Sequence, residues 1–286
     1  MKRDQPRKTG SSVTVVCPVH RCGRGLHWGK RSCICPAGHT FDIARSGYVN
    51  LLLPQDKRAK NPGDTKAMVG ARRRLLEAGL GDRLLEGLAA ALARIPIRQG
   101  ARVLDVGCGD GYFLAALANR FGLEGYGVDI STPAVDAAAQ RYPELRWIAA
   151  NGDRRLPFAD QTFDCILSIT ARKNPEEFKR LLKPGGRLLL AVPADDDLAE
   201  LRQAVLGQAT AKDRVSLTTA AFEGSFVLES HETARLALHL DVPALSDLLL
   251  VTYRGARYSA AAGAAALKPL TVTSAAELLC FKLKSA

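Results

Sequence analysis

At 286 residues, 47% hydrophobic and 24% charged, the chain can bury a sizeable core as one main domain with a smaller appendage. No apolar run approaches the roughly 18 residues of a membrane-spanning helix, and the basic start, residues 1–8, is not followed by an apolar segment with a small-residue cleavage site, so a secretory signal is not expected and a cytoplasmic protein is. The net charge of +11 is uneven: residues 1–100 carry 19 Lys/Arg against 7 Asp/Glu, residues 101–286 carry 21 against 22, and the basic first third suits a surface for phosphates, the alternative being a solvated charged face.

Residues 1–8 read as a short disordered tail. Four of the seven cysteines (Cys17, Cys22, Cys33 and Cys35) then fall within 19 residues, with His20, His27 and His39 among them, and mark a small separate module, residues 1–44. In a cytosolic chain clustered cysteines are more often metal ligands than disulfides. Zinc ribbons pair two close ligands with two more on a second loop, so that four N or S atoms surround the ion tetrahedrally. Cys35-x3-His39 is a clear second pair, on a turn containing Pro36 and Gly38; the first is either Cys17-x2-His20 or Cys17-x4-Cys22. Two thiolates anchor a structural site more strongly, so the expected ligands are Cys17, Cys22, Cys35 and His39, with Cys33 spare; a degenerate module without metal is the alternative.

Residues 45–79 read as a basic connector, broken by Pro54, Pro62 and Gly63 before a helical pattern resumes over 65–78. A Leu/Ala-rich helix is predicted over 83–94, ended by Ile95-Pro96. From 102 onward strand-like and helical runs alternate: strand 102–106, helix 112–121, strand 125–130, helix 133–141, strand 146–149, strand 165–169, helix 175–182 and strand 187–193. That alternation predicts an open, largely parallel α/β sheet. Late strands are expected at 226–228 and 277–284, residues 260–266 are low-complexity, and Cys108, Cys165 and Cys280 sit in apolar contexts that suit inert core residues.

The strand 102–106 enters Gly107-Cys108-Gly109-Asp110-Gly111, and Tyr112 opens the helix. Glycines suit a turn of unusual backbone angles over which a ligand lies closely. The spacing is G-x-G-x-G with Asp105 two residues ahead, not the dinucleotide G-x-G-x-x-G. A loop with no pyrophosphate to bind can pass the methionine part of S-adenosylmethionine, with Asp105 addressing its ammonium group. Asp129, 22 residues after Gly107, ends the next strand, where a carboxylate can accept from both ribose hydroxyls. With Lys183-Pro184-Gly185-Gly186 before the strand 187–193, residues 100–194 resemble the class I methyltransferase superfamily. In that superfamily an acid usually precedes a Leu-Pro-Phe segment; ahead of Leu156-Pro157-Phe158 the acid is one position closer, and Asn151, Gly152 or Asp153 could each contact adenine.

The order of parts is more specific. Phe41-Asp42-Ile43-Ala44-Arg45-Ser46-Gly47-Tyr48-Val49-Asn50-Leu51-Leu52, then Lys57-Arg58, Pro62-Gly63-Asp64, Met68 and Ala71-Arg72-Arg73-Arg74-Leu75-Leu76, resemble the bacterial 23S rRNA guanine-N1 methyltransferases, including members linked to macrolide resistance. The resemblance implies a class I methyltransferase domain over 80–286, a Rossmann-like sheet with helices on both faces, joined to an N-terminal zinc-ribbon-like module that recognises RNA. It implies methyl transfer from S-adenosylmethionine to N1 of a guanine in a 23S rRNA hairpin, with zinc as second cofactor, no membrane and a homodimer as a further expectation. A guanine N1 is protonated and faces its pairing partner, so the base must be unpaired or flipped and the proton must leave. Ser168, Thr170 and Arg172 are candidate substrate-side groups, and Tyr48 either stacks a base or packs.

The chain departs from the family pattern at three places. His20 stands at the second position of the usual C-x2-C, Ile169-Thr170-Ala171-Arg172-Lys173-Asn174 replaces a stretch with Pro-Cys, and Thr252-Tyr253-Arg254 stands for an aromatic Thr-Pro segment. Alternatives are a methyltransferase for another RNA or a small molecule, and a non-catalytic zinc-containing RNA-binding protein. Deleting residues 1–44 is expected to abolish rRNA methylation while 80–286 still bind the cofactor.

Overall fold

The computed structural model describes residues 13–56, 63–206, 213–252 and 268–284. The basic tail 1–8, Lys57-Arg58, Lys60, Pro62, Tyr253-Arg254 and the run 260–266, all singled out in the sequence, lie outside the described residues.

The N-terminal module is a three-stranded antiparallel sheet of β1 (His27–Trp28), β2 (Ser32–Ile34) and β3 (Thr40–Asp42). After it come β4 (Val49–Asn50), a 3-10 turn Pro54–Asp56, α1 (Lys66–Glu77) and α2 (Asp82–Arg94). Thr65 caps α1, its Oγ1 accepting from the Met68 N–H at 3.3 Å. The alternating part follows as β5 (Arg102–Val106), α3 (Tyr112–Phe121), β6 (Glu124–Asp129), α4 (Thr132–Arg141), β7 (Arg146–Ala149), β8 (Phe163–Ile169), α5 (Pro175–Leu181) and β9 (Leu182–Pro193). Ser131 and Asn174 cap α4 and α5, each followed by a proline in the first turn. The chain closes with α6 (Ala199–Leu206), α7 (Arg214–Phe222), β10 (Phe226–Leu240), α8 (Val242–Thr252) and β11 (Leu270–Leu283).

The main sheet has the order β10-β11-β9-β8-β5-β6-β7-β4, parallel from β9 to β4, with β11 and β10 antiparallel at the other edge. The order reverses direction at β5, the topological switch point where ligands of such sheets bind beyond the strand ends.

Alternation along the strands divides the core in two. Leu104 and Val106, Ile166, and Leu188, Leu190 and Val192 face one side; Val103, Cys165 and Leu167, and Leu189 and Ala191 face the other. The second side is covered by α2, α3 and α4 through Leu88, Leu92, Leu114, Leu117, Val135 and Ala138. The first is covered by Phe178 of α5 and Phe222 of α7, and also by Val15, Cys17, Cys33 and Phe41 of the N-terminal module. Val16 donates to Pro157 O at 2.8 Å, and Val15 bridges Phe158. The module thus occupies a place on the sheet where such folds ordinarily set a helix.

Two expectations need amendment. The stretch 45–79 is more than a connector, since Val49–Asn50 pairs with Ile148–Ala149 as the sheet's edge and α1 packs on α8. The late strands are also longer than the runs 226–228 and 277–284, because β10 and β11 pair along nearly their whole length and satisfy each other's backbone through polar stretches such as Ser230–Thr233.

Candidate active site and metal centre

β5 carries the chain into the Gly107–Gly111 loop at the switch point. Gly107, Gly109 and Gly111 all take left-handed backbone angles, φ +84°, +55° and +82°. The N–H groups of Gly107 and Cys108 both donate to Val128 O (2.8 and 3.1 Å), tying the loop to the end of β6. A Cβ at Gly107 would lie 2.3 Å from Ala171 Cβ and one at Gly111 2.4 Å from the Trp147 ring, whereas one at Gly109 would meet nothing within 4 Å. Two glycines therefore close the loop onto its neighbours and the third opens onto free space.

That space is a cleft of about 660 Å³. Asp105, Gly107, Gly109, Tyr112, Asp129, Asn151, Gly152 and Asp153 all line it, while Gly111 is set back against Trp147. Asp129 receives the Gly109 N–H on Oδ2 (2.9 Å) and the Ser131 N–H on Oδ1 (2.8 Å), which fixes its plane and leaves a lone pair on each oxygen. Burial raises its pKa, with these two N–H groups opposing. Asp105 is only 2% exposed, and its Oδ1 has no hydrogen-bond partner among the described residues. Burial, reinforced by the Asp129 charge, pushes its carboxyl up to about 8. An orphaned buried carboxylate beside open space calls for a cationic donor, and S-adenosylmethionine carries one in its ammonium group.

Of the substrate-side candidates, Thr170 and Arg172 line the cleft and Ser168 does not. Ser168 is fully buried and donates to Arg172 O at 3.4 Å, so it braces the turn. Arg172 Nε lies 3.4 Å from Asp153 Oδ2. Tyr48 packs on the second core half beside Asp136, which fits packing and not base stacking.

The structure adds residues beyond the predicted site. Arg72 and Asp64, paired at 2.7 Å, reach the cleft from α1 and its approach, and Ser131 Oγ donates to Asp64 O at 2.6 Å. Gly63-Asp64 and Arg72-Arg73 fall in the family-like runs, which are the signal for them in the sequence. Arg73 lies buried between the Tyr112 and Tyr142 rings (5.5 and 5.7 Å), donates to Tyr142 Oη at 2.7 Å and stands 3.5 Å from Asp110, joining α1 to the loop. Asp197, Leu198, Leu248 and Val251 line the far end.

In the module, Cys17, Cys22, Cys35 and His39 converge with their ligand atoms all within 4.8 Å of one another. Cys17 Sγ and Cys35 Sγ each lie 3.4 Å from His39 Nδ1, and Cys22 Sγ lies 3.8 Å from Cys35 Sγ. A tetrahedral zinc with Zn–S of about 2.3 Å and Zn–N of about 2.0 Å has edges of about 3.5–3.8 Å, so the set fits that ion. Burial works against ionisation of Cys35, but the His39 and Ala37 backbone N–H groups, with the Cys22 and His39 side chains, outweigh it and hold the thiol at about 6. Cys33 is fully buried outside the cluster, and His20 is not part of it.

The comparisons agree with both halves. A family model described as "RlmA, N-terminal" matches residues 15–60, and one described as "Methyltransferase domain" matches residues 103–186. The 23S rRNA (guanine(748)-N(1))-methyltransferase of Streptomyces fradiae is 39% identical over 237 residues, 82% of each chain. The chain belongs to the 23S rRNA (guanine-N1)-methyltransferase family. The demethylmenaquinone methyltransferase of Tropheryma whipplei (strain Twist) is 36% identical over 111 residues, only 35% of this chain. Among solved structures, a chain of the Haloferax volcanii complex of the Trm112 methyltransferase activator with its methyltransferase superposes with a TM-score of 0.52 at 22% identity, covering 78% of this chain and all of that one, which speaks for the fold. As a member of the guanine-N1 methyltransferases the protein combines a zinc ribbon with an S-adenosylmethionine-dependent methyltransferase fold, and its cofactors are S-adenosylmethionine and zinc. Among the described residues no helix is long and apolar enough to cross a membrane.

Proposed function

We propose that the chain transfers a methyl group from S-adenosylmethionine to N1 of a guanine in a 23S rRNA hairpin. The observation that carries the reading is the likeness to the Streptomyces fradiae enzyme over 82% of both chains, in a protein whose cleft presents an orphaned Asp105 carboxylate beside the open face of Gly109. When bound, the cofactor supplies an electrophilic methyl on its sulfonium. Asp105 holds the ammonium group, Asp129 the ribose hydroxyls, Gly109 lets the ligand lie on the loop that Gly107 closes against Ala171, Tyr112 flanks it, and Asn151, Gly152 or Asp153 meet the adenine. Holding the guanine in line with the methyl is then the main contribution. Cys17, Cys22, Cys35 and His39 hold zinc. Residues 1–44 serve as the RNA-recognition module, 45–79 as a basic connector that also edges the sheet, and 80–286 as the transferase. Arg21, Arg24, Lys30 and Arg31 are exposed on the module and suit phosphate contacts, which position RNA without reading its sequence. Primer extension on 23S rRNA from a strain lacking the gene tests the reading: one stop at a guanine present in the parent should vanish, and an unchanged pattern of stops would refute it.

The glycines separate binding from folding. Gly109→Val should weaken cofactor binding sharply, since its side chain enters the open space, and its left-handed angle should cost about 1–3 kcal/mol of stability besides. Gly111→Ala should instead lower stability by about 2–4 kcal/mol with or without cofactor, from the strained angle and the clash with a Trp147 ring that is buried and bonded to Tyr142 O. Thermal melts with and without S-adenosylmethionine check the pair: the cofactor should raise the melting point of Gly111→Ala as in wild type and leave that of Gly109→Val nearly unmoved, and equal cofactor-induced rises would remove the distinction.

Asp105 gives a pH dependence. Its folded pKa, about 8, stands above the value of an unfolded aspartate, so the folded unliganded protein holds a proton that the unfolded chain releases, and the stability this contributes is lost as pH rises toward 8. A cationic ligand needs the ionised form, so affinity for S-adenosylmethionine should rise by up to about tenfold per unit between pH 6 and 8. Calorimetry over this range should show the rise in wild type and not in Asp105→Asn; the same slope in both would assign it to another group.

A further inference from the structure

We propose that Asp197 accepts the N1 proton of the target guanine. The inference rests on the guanine-N1 reading and names the proton acceptor that the sequence left open.

The strand order places the acceptor. Residues proposed to hold the cofactor follow β5, β6 and β7, while Asp197 lies in the turn after β9, beyond β8, and lines the other end of the same cleft with Leu198, Leu248 and Val251. Among the described residues six aspartates line that cleft; four are held in ion pairs or by two backbone N–H groups, and Asp105 is the one proposed to hold the cofactor's ammonium group. Asp64 pairs with Arg72 at 2.7 Å, Asp110 faces Arg73 at 3.5 Å, and Asp153 faces Arg172 at 3.4 Å. Asp129 takes two backbone N–H groups, and Asp105 sits under the loop. Asp197 alone stands on the β9 side, its Oδ1 accepting from Ala275 N at 2.9 Å and its Oδ2 without a hydrogen-bond partner among the described residues.

The turn that carries it is built rigidly. Ala194 N donates to Ala275 O at 2.9 Å and Leu198 N to Thr273 O at 2.7 Å, while Glu200 accepts from both the Thr273 N–H and hydroxyl (2.9 and 2.7 Å). Leu198 is buried at φ +54°, a left-handed angle costly for leucine that persists only where its surroundings enforce it. Such enforcement is what a group aimed at a reacting atom needs.

The charges around it suit a base. Burial raises the carboxyl to about 6; the Ala275 N–H, Arg202 of α6 and Arg214 of α7 lower it, and Asp196 raises it. Asp196 is itself paired with Arg235 at 3.0 Å, Arg202 donates to the Asp195 carbonyl at 2.7 Å and to the Asp197 carbonyl, and Glu200 is occupied by Thr273. The group is thus ionised near pH 7 yet more basic than an exposed aspartate, which suits proton abstraction. In the step, the N1 proton passes to Asp197 Oδ2, the N1 electron pair forms the bond to the methyl carbon, and the carbon–sulfur bond breaks with its pair left on sulfur. The products are N1-methylguanine, a protonated Asp197 and S-adenosylhomocysteine, and the carboxyl then releases its proton to solvent.

The test compares full-length wild type, Asp197→Asn and Asp197→Glu in single-turnover transfer to a 23S rRNA hairpin transcript, with cofactor and RNA affinities measured alongside. Asp197→Asn should lose about 10²- to 10⁴-fold in rate with both affinities nearly unchanged, and Asp197→Glu should recover part of it. The wild-type rate should climb along an acid limb with a midpoint near 6 that Asp197→Asn lacks. Wild-type rate and an intact acid limb in Asp197→Asn would overturn the inference alone. A wild type that makes no N1-methylguanine would overturn the functional reading as well. If Asp197→Asn fails to bind the cofactor, the wild-type profile decides: a rate flat from about pH 5 to 7 overturns the assignment.

Discussion

Asp129→Ala should lower affinity for S-adenosylmethionine by about 100-fold or more, about 3 kcal/mol, while RNA affinity stays nearly unchanged. Two effects add. The carboxylate has a free lone pair on each oxygen for the ribose hydroxyls, and it also satisfies the N–H groups of Gly109 and Ser131, so its loss both removes ligand contacts and frees the glycine loop. Asp129→Asn keeps one oxygen acceptor and should fall between the two. The exposed arginines and lysine of the ribbon belong to another part of the chain, which is why RNA binding is spared. Titration calorimetry with cofactor and a salt series with RNA measure the two separately; equal cofactor affinity in wild type and Asp129→Ala would remove Asp129 from the site.

Cys35→Ala, or a strong chelator, should strip about one zinc per chain and unfold the ribbon. Structural zinc contributes about 10–16 kcal/mol to folding in small modules, comparable with the whole stability of a domain. The damage should not stop at the ribbon. Val13, Val15, Cys17 and Leu26 share one core with Leu156 and Phe158 of the transferase, and Val16 is bonded to Pro157, so loss of the metal exposes the sheet face beneath. A melt should therefore show the whole protein destabilised, and removal of residues 1–44 should leave an apolar face prone to association even if the cofactor cleft survives. Metal analysis by mass spectrometry with paired melts checks this; full stability in zinc-free protein would contradict it.

The glycine loop, its flanking strands, the place of Asp129 at the end of β6 and the convergence of Cys17, Cys22, Cys35 and His39 were legible because each is specified within a short run: a β-rich pentad ending in G-x-G-x-G, or thiols on tight turns. Even the choice of Cys22 over His20 followed from thiolate chemistry. Features set by partners far along the chain were not legible. Val49–Asn50 is a strand only because β7 lies open about a hundred residues later. The seating of the ribbon over Phe158 and the length of β10 depend in the same way on distant pairing. Asp197 stands in no motif; its position comes from Ala275 and Thr273 on β11.

The most direct measurement combines purified full-length protein, S-adenosylmethionine labelled in its methyl group and a 23S rRNA transcript, with nuclease digestion and mass spectrometry of the nucleosides. The guanine-N1 assignment predicts label in N1-methylguanine, close to one per transcript, and its loss in Asp129→Ala. Label on another base or another guanine atom, or no label with zinc and cofactor both bound, would contradict it.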